Sequence, residues 1–468
     1  MSSLSKNKYT GLLYEVDRKS AMQVSDFSER NWTDNYKFVK QEFIQHPVAE
    51  EGLLSKVSIV RCDSYESSKE GIKKAVDYLG GLGRFIRTGD VVWLKPNLGR
   101  TLPTVPSITD PRFLASLIQL IKEETKPKKI IVADSPVVGY TGERAFNDKD
   151  YSGLSVKPVV EKAGAEVLYL DEAEHEPIRI TKAIVLKDVL MPKLRKEVDV
   201  IINVPKLKTH VQTGITVCVK NWHGMIHWDY RRIFHSDDLP QKLIDIFKAD
   251  RAMPDLNIVD GIVATHEFGP TIAGLPYDAK VILAGTDPIA CDAVCAYMMG
   301  WDDLAEIDTV RIGEADGIGV GKLDQIEVLG EPLRKLEGFK RPNLRLVAEY
   351  PGVNIILGSV CAGCRSRLKF ALENLKKRNM LKPYLEKYGD LTLVCGIGAR
   401  LPEPSENVIY LGDCLQYDIY FPAGGTGNPR LDTNSQKRLE ILRKGVWIQG
   451  CPIWFTDVSD LIKKRLEK

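Results

Sequence analysis

From residue 56 onward the apolar positions fall into two alternating rhythms. Short β-type runs at 57–61, 90–94, 129–133, 166–170, 198–204, 256–259 and 280–284 are separated by helically spaced segments near 68–82, 111–124, 156–163 and 288–299. Thr109, Asp110 and Pro111 read as the cap and first turn of one such helix. Strands that alternate with helices predict an α/β fold with mainly parallel sheets and flanking helices. Around 324–341 the pattern dissolves into a charged stretch broken by Pro332 and Pro342. The rhythm then returns, with strands at 353–357, 391–394, 407–411 and 446–448 and helices at 365–379 and 458–466. Leu368, Ala371, Leu372 and Leu375 give the first of these helices one apolar face. The expected organisation is an N-terminal extension at 1–52, an α/β body at 53–340 and a smaller C-terminal α/β domain at 341–468 that bears cysteines.

Composition narrows the function classes. A hydrophobic content of 44% and a charged content of 27% are those of an ordinary water-soluble globular chain. Lys plus Arg at 65 against Asp plus Glu at 63 leaves a formal charge of +2, which calls for neither nucleic acid nor an anionic membrane as partner. No apolar run approaches the roughly 18 residues of a membrane span. The first twenty residues lack the apolar core of a signal peptide, so a cytoplasmic location is expected. Nine cysteines in such a compartment point to metal or redox chemistry before disulfides. Cys62, Cys218, Cys291 and Cys295 sit among aliphatic residues and read as core.

The densest chemistry follows the run 198–204. Lys206, Lys208, His210, Lys220, Asn221, His223, His227 and His235 crowd this stretch, which holds four of the seven histidines. Histidine titrates near neutral pH, and lysine is tuned down by burial, so both suit proton transfer. Parallel strands share one carboxyl edge, where α/β proteins place their ligand crevices. Three strands here end in polar groups: Lys95 and Asn97, Asp134 and Ser135, then Lys206 and Lys208. His210, Lys220 and Lys208 are the expected catalytic residues; Lys95, Asn97, Lys206, Asn221 and Asp287 are expected to bind a small anionic substrate. Asp287 has a second reading as the cap of the helix that follows it.

In the C-terminal domain each expected strand is followed within a few residues by cysteine. A parallel sheet would collect Cys361, Cys364, Cys395, Cys414 and Cys451 at one edge. Soft ligands in that number suit an iron–sulfur cluster or a zinc ion, against the plainer reading of buried thiols. The glycine-rich stretch 423–428 lacks Walker spacing and reads as a turn or a phosphate contact.

The motifs KPN at 95–97, TDP at 109–111, ADS at 133–135, PKLKTH at 205–210, KNWHG at 220–224, DGI at 260–262 and GTDPIACD at 285–292 occur in order. This order resembles the DUF362 family, a domain of unknown function, over about residues 56–330. Members of that family often carry ferredoxin-like cysteine motifs, so the resemblance implies a [4Fe–4S] cluster held by the C-terminal cysteines, with zinc as the alternative. A more distant similarity is to the N-terminal domain of the nickel-pincer lactate racemase. It implies that His210 transfers a proton, Lys220 anchors a cofactor and His235 ligates a metal, with VQTGITVCV standing where that enzyme has an aromatic-Ala-Gly-Tyr run. The combined expectation is an iron–sulfur oxidoreductase or isomerase acting on a small anion. The alternative is a metal-binding or electron-carrier protein that docks on a redox partner without turnover of its own. A homo-oligomer is left open.

Overall fold

The structure is a computed structural model that describes residues 39–41, 54–137, 140–227, 239–343, 350–358, 360, 362–420, 430–432, 436–450, 452–453 and 456–467. Apart from Val39–Gln41, the expected N-terminal extension therefore lies outside the described residues, as do Cys361, Cys451, His235 and the glycine-rich stretch.

The body is built on one ten-stranded sheet. In chain order its strands are β1 (Ser55–Arg61), β2 (Val91–Pro96), β3 (Lys129–Asp134), β4 (Glu166–Tyr169), β5 (Val200–Val204), β6 (Lys206–His210), β7 (Gly214–Thr216), β8 (Leu256–Glu267), β9 (Gly274–Gly285) and β10 (Ile326–Gly330). The order across the sheet is β10-β1-β9-β8-β5-β2-β3-β4, with β6 paired to β8 and β7 paired to β6. β8, β5, β2, β3 and β4 run parallel, whereas β9 is antiparallel to both of its neighbours. The sheet is mainly parallel, as the alternating rhythm predicts.

Alternation along the central strands explains the layers. Trp93 and Ile201 point into one apolar cluster, while Val92, Leu94, Val200, Ile202 and Val204 point into another on the opposite face. A strand covered on both sides must be apolar at nearly every position, which is why β5 reads VIINV and is wholly buried. Helices α1 (Ser68–Asp77), α2 (Pro111–Glu124) and α3 (Val156–Ala163) cover the second face. α4 (Cys218–Asn221), α5 (Leu239–Phe247) and α6 (Pro288–Met298) contribute to the first. Asp110 caps α2 by accepting from Arg112 N, with Pro111 in the first turn, so that expected boundary holds. Cys62, Cys218, Cys291 and Cys295 are buried in these cores. A smaller sheet pairs Val39–Gln41 with His175–Ile180 and the latter with Asp188–Pro192.

Two elements depart from the sequence pattern. The stretch expected as a charged linker contains β10, an edge strand that pairs in parallel with β1. Its sequence IEVLG is only partly buried, and a short edge strand carrying Glu has a weak apolar signal. The runs at 256–259 and 280–284 are the inner ends of a long hairpin, β8 with β9, whose outer halves are more polar.

The C-terminal domain has four parallel strands, β11 (Val353–Leu357), β12 (Leu391–Cys395), β13 (Val408–Leu411) and β14 (Val446–Ile448). Leu391, Leu393, Cys395, Ile409 and Leu411 face a cluster shared with α7 (Ala362–Lys377) and α8 (Asp457–Leu466); Val394 and Tyr410 face the other side. α7 also meets the body, where Phe370 packs with Val211 and Ala273. Lys377 Nζ there donates to the carbonyls of Ile272 at 3.1 Å and Gly274 at 2.7 Å. Among the described residues no helix is long and apolar enough to cross a membrane.

Candidate active site

The carboxyl ends of β2, β3 and β6 meet as the parallel topology requires. They form the floor of a cavity of about 160 Å³ roofed by α7. Asn97, Asp134, Ser135, Lys208, His210, Lys220, Asn221 and His223 line it from the body, and Ser366, Arg367 and Phe370 line it from α7. Arg100, Gln212, Thr216 and Thr271 add to the polar wall. The lining cations and imidazoles face one carboxylate, Asp134, and that carboxylate is committed: its Oδ1 accepts from Lys95 Nζ at 2.8 Å and its Oδ2 from Leu98 N at 2.7 Å.

Three expected ligands lie outside the cavity lining. Lys95 is fully buried beneath it in the Asp134 pair and lies 5.9 Å from the centre of the Trp222 ring. Gly224 is glycine for this reason, since a Cβ there would lie 2.5 Å from Asp134 Oδ1 and 2.7 Å from Lys95 Nζ. Lys206 Nζ donates to Asp260 Oδ2 and Tyr65 Oη, each at 2.8 Å. Asp287 accepts from Ile289 N and Ala290 N at the start of α6, and also from Val320 N and Ser55 Oγ. It is a helix cap that ties three segments together. A buried charge needs such partners, and these partners leave none of the three lysine or aspartate groups for a substrate.

Lys208 differs in kind. It is 3% exposed and lines the cavity, and its Nζ donates to Asn97 Oδ1 at 2.7 Å and Ser107 O at 2.5 Å. Among the described residues no carboxylate pairs with it. Burial, reinforced by the nearby charges of Lys220 and Lys206 and only partly offset by Asp134, pushes its pKa down to about 7.

Asn97 is itself the end of a ladder of buried amides crossing the sheet. Asn97 Nδ2 donates to Asn221 Oδ1 at 2.8 Å, Asn221 Nδ2 to Asn203 Oδ1 at 2.8 Å, Asn203 Nδ2 to Asn257 Oδ1 at 2.9 Å, and Asn257 Nδ2 to Gly285 O at 3.1 Å. A backbone carbonyl at one end and a lysine donor at the other fix the direction of every amide between them. Such a chain polarises in one sense and turns an acceptor oxygen toward Lys208.

α4 presents Lys220 and Asn221. Asp292 on α6 holds its start, accepting from Cys218 N at 2.7 Å and Val219 N at 3.2 Å. Burial pushes the Asp292 carboxyl up to about 7. Lys220 Nζ lies 3.3 Å from His223 Nδ1. His210 Nδ1 accepts from Gln212 N at 3.0 Å and Thr213 N at 3.2 Å. Two backbone donors on Nδ1 place the ring proton of the neutral imidazole on Nε2, so His210 is set up to donate.

Arg100, Thr216, Ser366 and Arg367 were not anticipated. Arg100 carries a weak signal, lying three residues beyond Asn97. Arg367 carries none, because only the packing of α7 on the body brings it here.

At the C-terminal edge, Leu357, Cys395, Leu411 and Ile448 lie in register across the four strands. Cys364, in the first turn of α7, and Cys395, at the end of β12, are buried in the same apolar cluster. Cys414 follows β13 and Gly412, with its Sγ 3.5 Å from where a Gly412 Cβ would be. Among the described residues no group of three or more His, Cys, Asp or Glu is placed to hold a metal ion.

Comparison with known proteins fits the motif order. The DUF362 domain model matches residues 92–297. A thylakoid-associated protein from Synechocystis sp. is 30% identical over 310 residues, covering 64% of this chain and 91% of that protein. Among solved structures, the lactate racemase apoprotein of Thermoanaerobacterium thermosaccharolyticum is similar at 15% identity and a TM-score of 0.32, over 56% of this chain. This chain spans 60% of that racemase's length. A protein from Thermotoga maritima is similar at 12% identity and a TM-score of 0.28, over 46% of this chain and 55% of its own. The cavity-lining residues of β2, β3, β6 and α4 all fall within the matched domain, and the chain belongs to the DUF362 family, a domain of unknown function.

Proposed function

We propose that this protein is an enzyme that binds a small anion in the cavity and moves a proton on it through Lys208. The observation that carries this reading is a buried lysine with no carboxylate partner among the described residues, set in a cavity whose wall also holds Arg100, Lys220 and Arg367. A wall that gathers several cationic side chains favours an anionic ligand, and an amine titrating near pH 7 is matched to general base work. His210, donating from Nε2, is suited to polarise an oxygen of the ligand. The test is thermal stabilisation by oxalate, followed by deuterium exchange from D2O into a panel of small carboxylates. Stabilisation and exchange lost in Lys208→Met support the reading; neither effect in the wild-type protein refutes it.

The second part of the reading is a metal centre, an iron–sulfur cluster or zinc, at the cysteine edge. Its support is the shared burial of Cys364 and Cys395 and the strand-end position of Cys414, with Cys361 and Cys451 outside the described residues. A bound cluster would supply electron transfer or Lewis acidity. Arg367 is three residues beyond Cys364 on α7, about 4.5 Å along the helix axis. That proximity favours an oxidoreductase or isomerase over an electron carrier without turnover, whose thiolates have no need of a cavity. Anaerobic purification with iron, sulfide and zinc quantified tests it. Metal content should fall in Cys395→Ser, and full metal content in that variant would remove Cys395 from the ligand set.

A further inference from the structure

Lys208, Thr216 and His210 form a compact group on the cavity wall. Lys208 and Thr216 are direct partners in the antiparallel pairing of β6 with β7, which sets their Cβ atoms about 5 Å apart. His210 follows two residues along β6 on the same face, about 7 Å away. All three line the cavity.

The hydrogen bonds of Lys208 settle how a neutral amine would sit. It has two N–H bonds and one lone pair, and two acceptors are in place, Asn97 Oδ1 and Ser107 O. With both N–H bonds engaged, the lone pair takes a remaining tetrahedral direction on a side chain that lines the cavity. The amide ladder keeps Asn97 from turning its oxygen away, so the amine is held in this orientation before a ligand arrives. Thr216 Oγ1 is buried and has no hydrogen-bond partner among the described residues, and the residue is only 3% exposed. Leaving a hydroxyl buried without a partner costs about 1–3 kcal/mol, which a ligand oxygen would recover.

We propose that Lys208 is a nucleophile that forms an imine with the carbonyl carbon of a small 2-oxo acid. Thr216 and His210 Nε2–H meet the carbonyl oxygen, and Arg367 and Lys220 hold the carboxylate. The inference rests on the anion-binding reading above and gives it a substrate class. The amine lone pair forms the new C–N bond as the carbonyl π bond opens, and the oxygen takes a proton from a donor at the site. The nitrogen gives up one N–H proton at this step, making the carbinolamine; loss of its second N–H proton and protonation of the hydroxyl then release that oxygen as water and leave C=N in place of C=O. No oxidant or reductant is consumed. Among anions, 2-oxo acids pair a carboxylate for the cationic wall with an electrophile for the amine, at a size that suits the cavity.

The test is reductive trapping on the full chain. The protein is incubated with glyoxylate, pyruvate or 2-oxobutyrate and sodium cyanoborohydride, and the lysine peptides are mapped by mass. The expected result is one reduced oxo-acid adduct on Lys208, blocked by oxalate and absent from Lys208→Met and Lys208→Arg. Thr216→Val should slow trapping about tenfold, the effect of one lost hydrogen bond. Mapping on the wild-type protein gives the answer even where a Lys208 variant fails to fold. Adducts confined to exposed lysines, or found on Lys220 with Lys208 unmodified, overturn the inference. Stabilisation by oxalate without any Lys208 adduct overturns the imine and leaves the anion-binding reading standing; absence of both removes both.

Discussion

Replacing Lys208 with methionine should change how stability depends on pH in a way that reports the state of the buried amine. An ordinary lysine titrates near 10.5, whereas Lys208 is pushed down to about 7. At about 1.4 kcal/mol per pH unit, charging it in place costs the fold about 5 kcal/mol. The sign follows from which state holds the proton. Below pH 7 folded and unfolded chains both carry it, and the penalty is present in full. Between pH 7 and 10.5 the unfolded chain keeps a proton that the folded chain has released, so stability rises with pH. Methionine is similar in length and does not titrate. It leaves Asn97 Oδ1 and Ser107 O without their donor, an offset of about 1–3 kcal/mol for each that does not depend on pH near neutrality. Urea unfolding of both proteins from pH 6 to 9, followed by tryptophan fluorescence, isolates the Lys208 contribution as a difference. The wild-type protein should gain on Lys208→Met by about 2 kcal/mol between pH 7 and 9 and show little relative change below 7. A difference that stays flat within about 0.5 kcal/mol across the range would mean that Lys208 remains charged when folded, and the reasoning fails.

Three other substitutions probe the surrounding structure. Asn203→Leu removes the middle of the amide ladder, stranding Asn257 Oδ1 and leaving Asn221 Nδ2 only its 3.3 Å bonds to the Lys95 and Pro96 carbonyls; a loss of about 1–3 kcal/mol in urea unfolding is expected. Gly224→Ala brings a methyl group to 2.5 Å from Asp134 Oδ1, so the Lys95–Asp134 pair must shift, and a clear fall in melting temperature together with weaker oxalate binding is expected. Arg367→Gln removes a cation from the cavity wall contributed by α7; calorimetry should show oxalate affinity down about tenfold or more.

Much of the site edge was legible before any coordinates. Parallel strands share a carboxyl edge, so the polar ends of β2 and β3 and the cluster around Lys208 and His210 had to approach one another. Which lysine is available was not legible. Lys206 and Lys208 are two residues apart on one strand, yet Lys206 meets Asp260 and Tyr65, which come from β8 and a distant turn. Lys95 is likewise neutralised by Asp134 from the next strand. Those partners are set by tertiary packing, and no local spacing announces them. Asp287 followed its local signal, since a GTDP sequence before an apolar helix is a cap and acts as one. The sequence assigns His210 proton transfer without saying in which direction. The turn at Gln212 and Thr213 occupies Nδ1, a backbone detail invisible to residue type. β10 was missed because its exposed edge blurs the alternation.

The central claim is that the cavity holds Lys208 as a neutral amine awaiting a small anion. The most direct test is a pH titration of protein labelled with 13C at the lysine ε carbons, with the Lys208 signal assigned by its absence from Lys208→Met. The account predicts one lysine with a midpoint near 7 that moves upward when oxalate is added, because a bound anion favours the ammonium form. A Lys208 signal that titrates above pH 10, or that does not respond to oxalate, would contradict it.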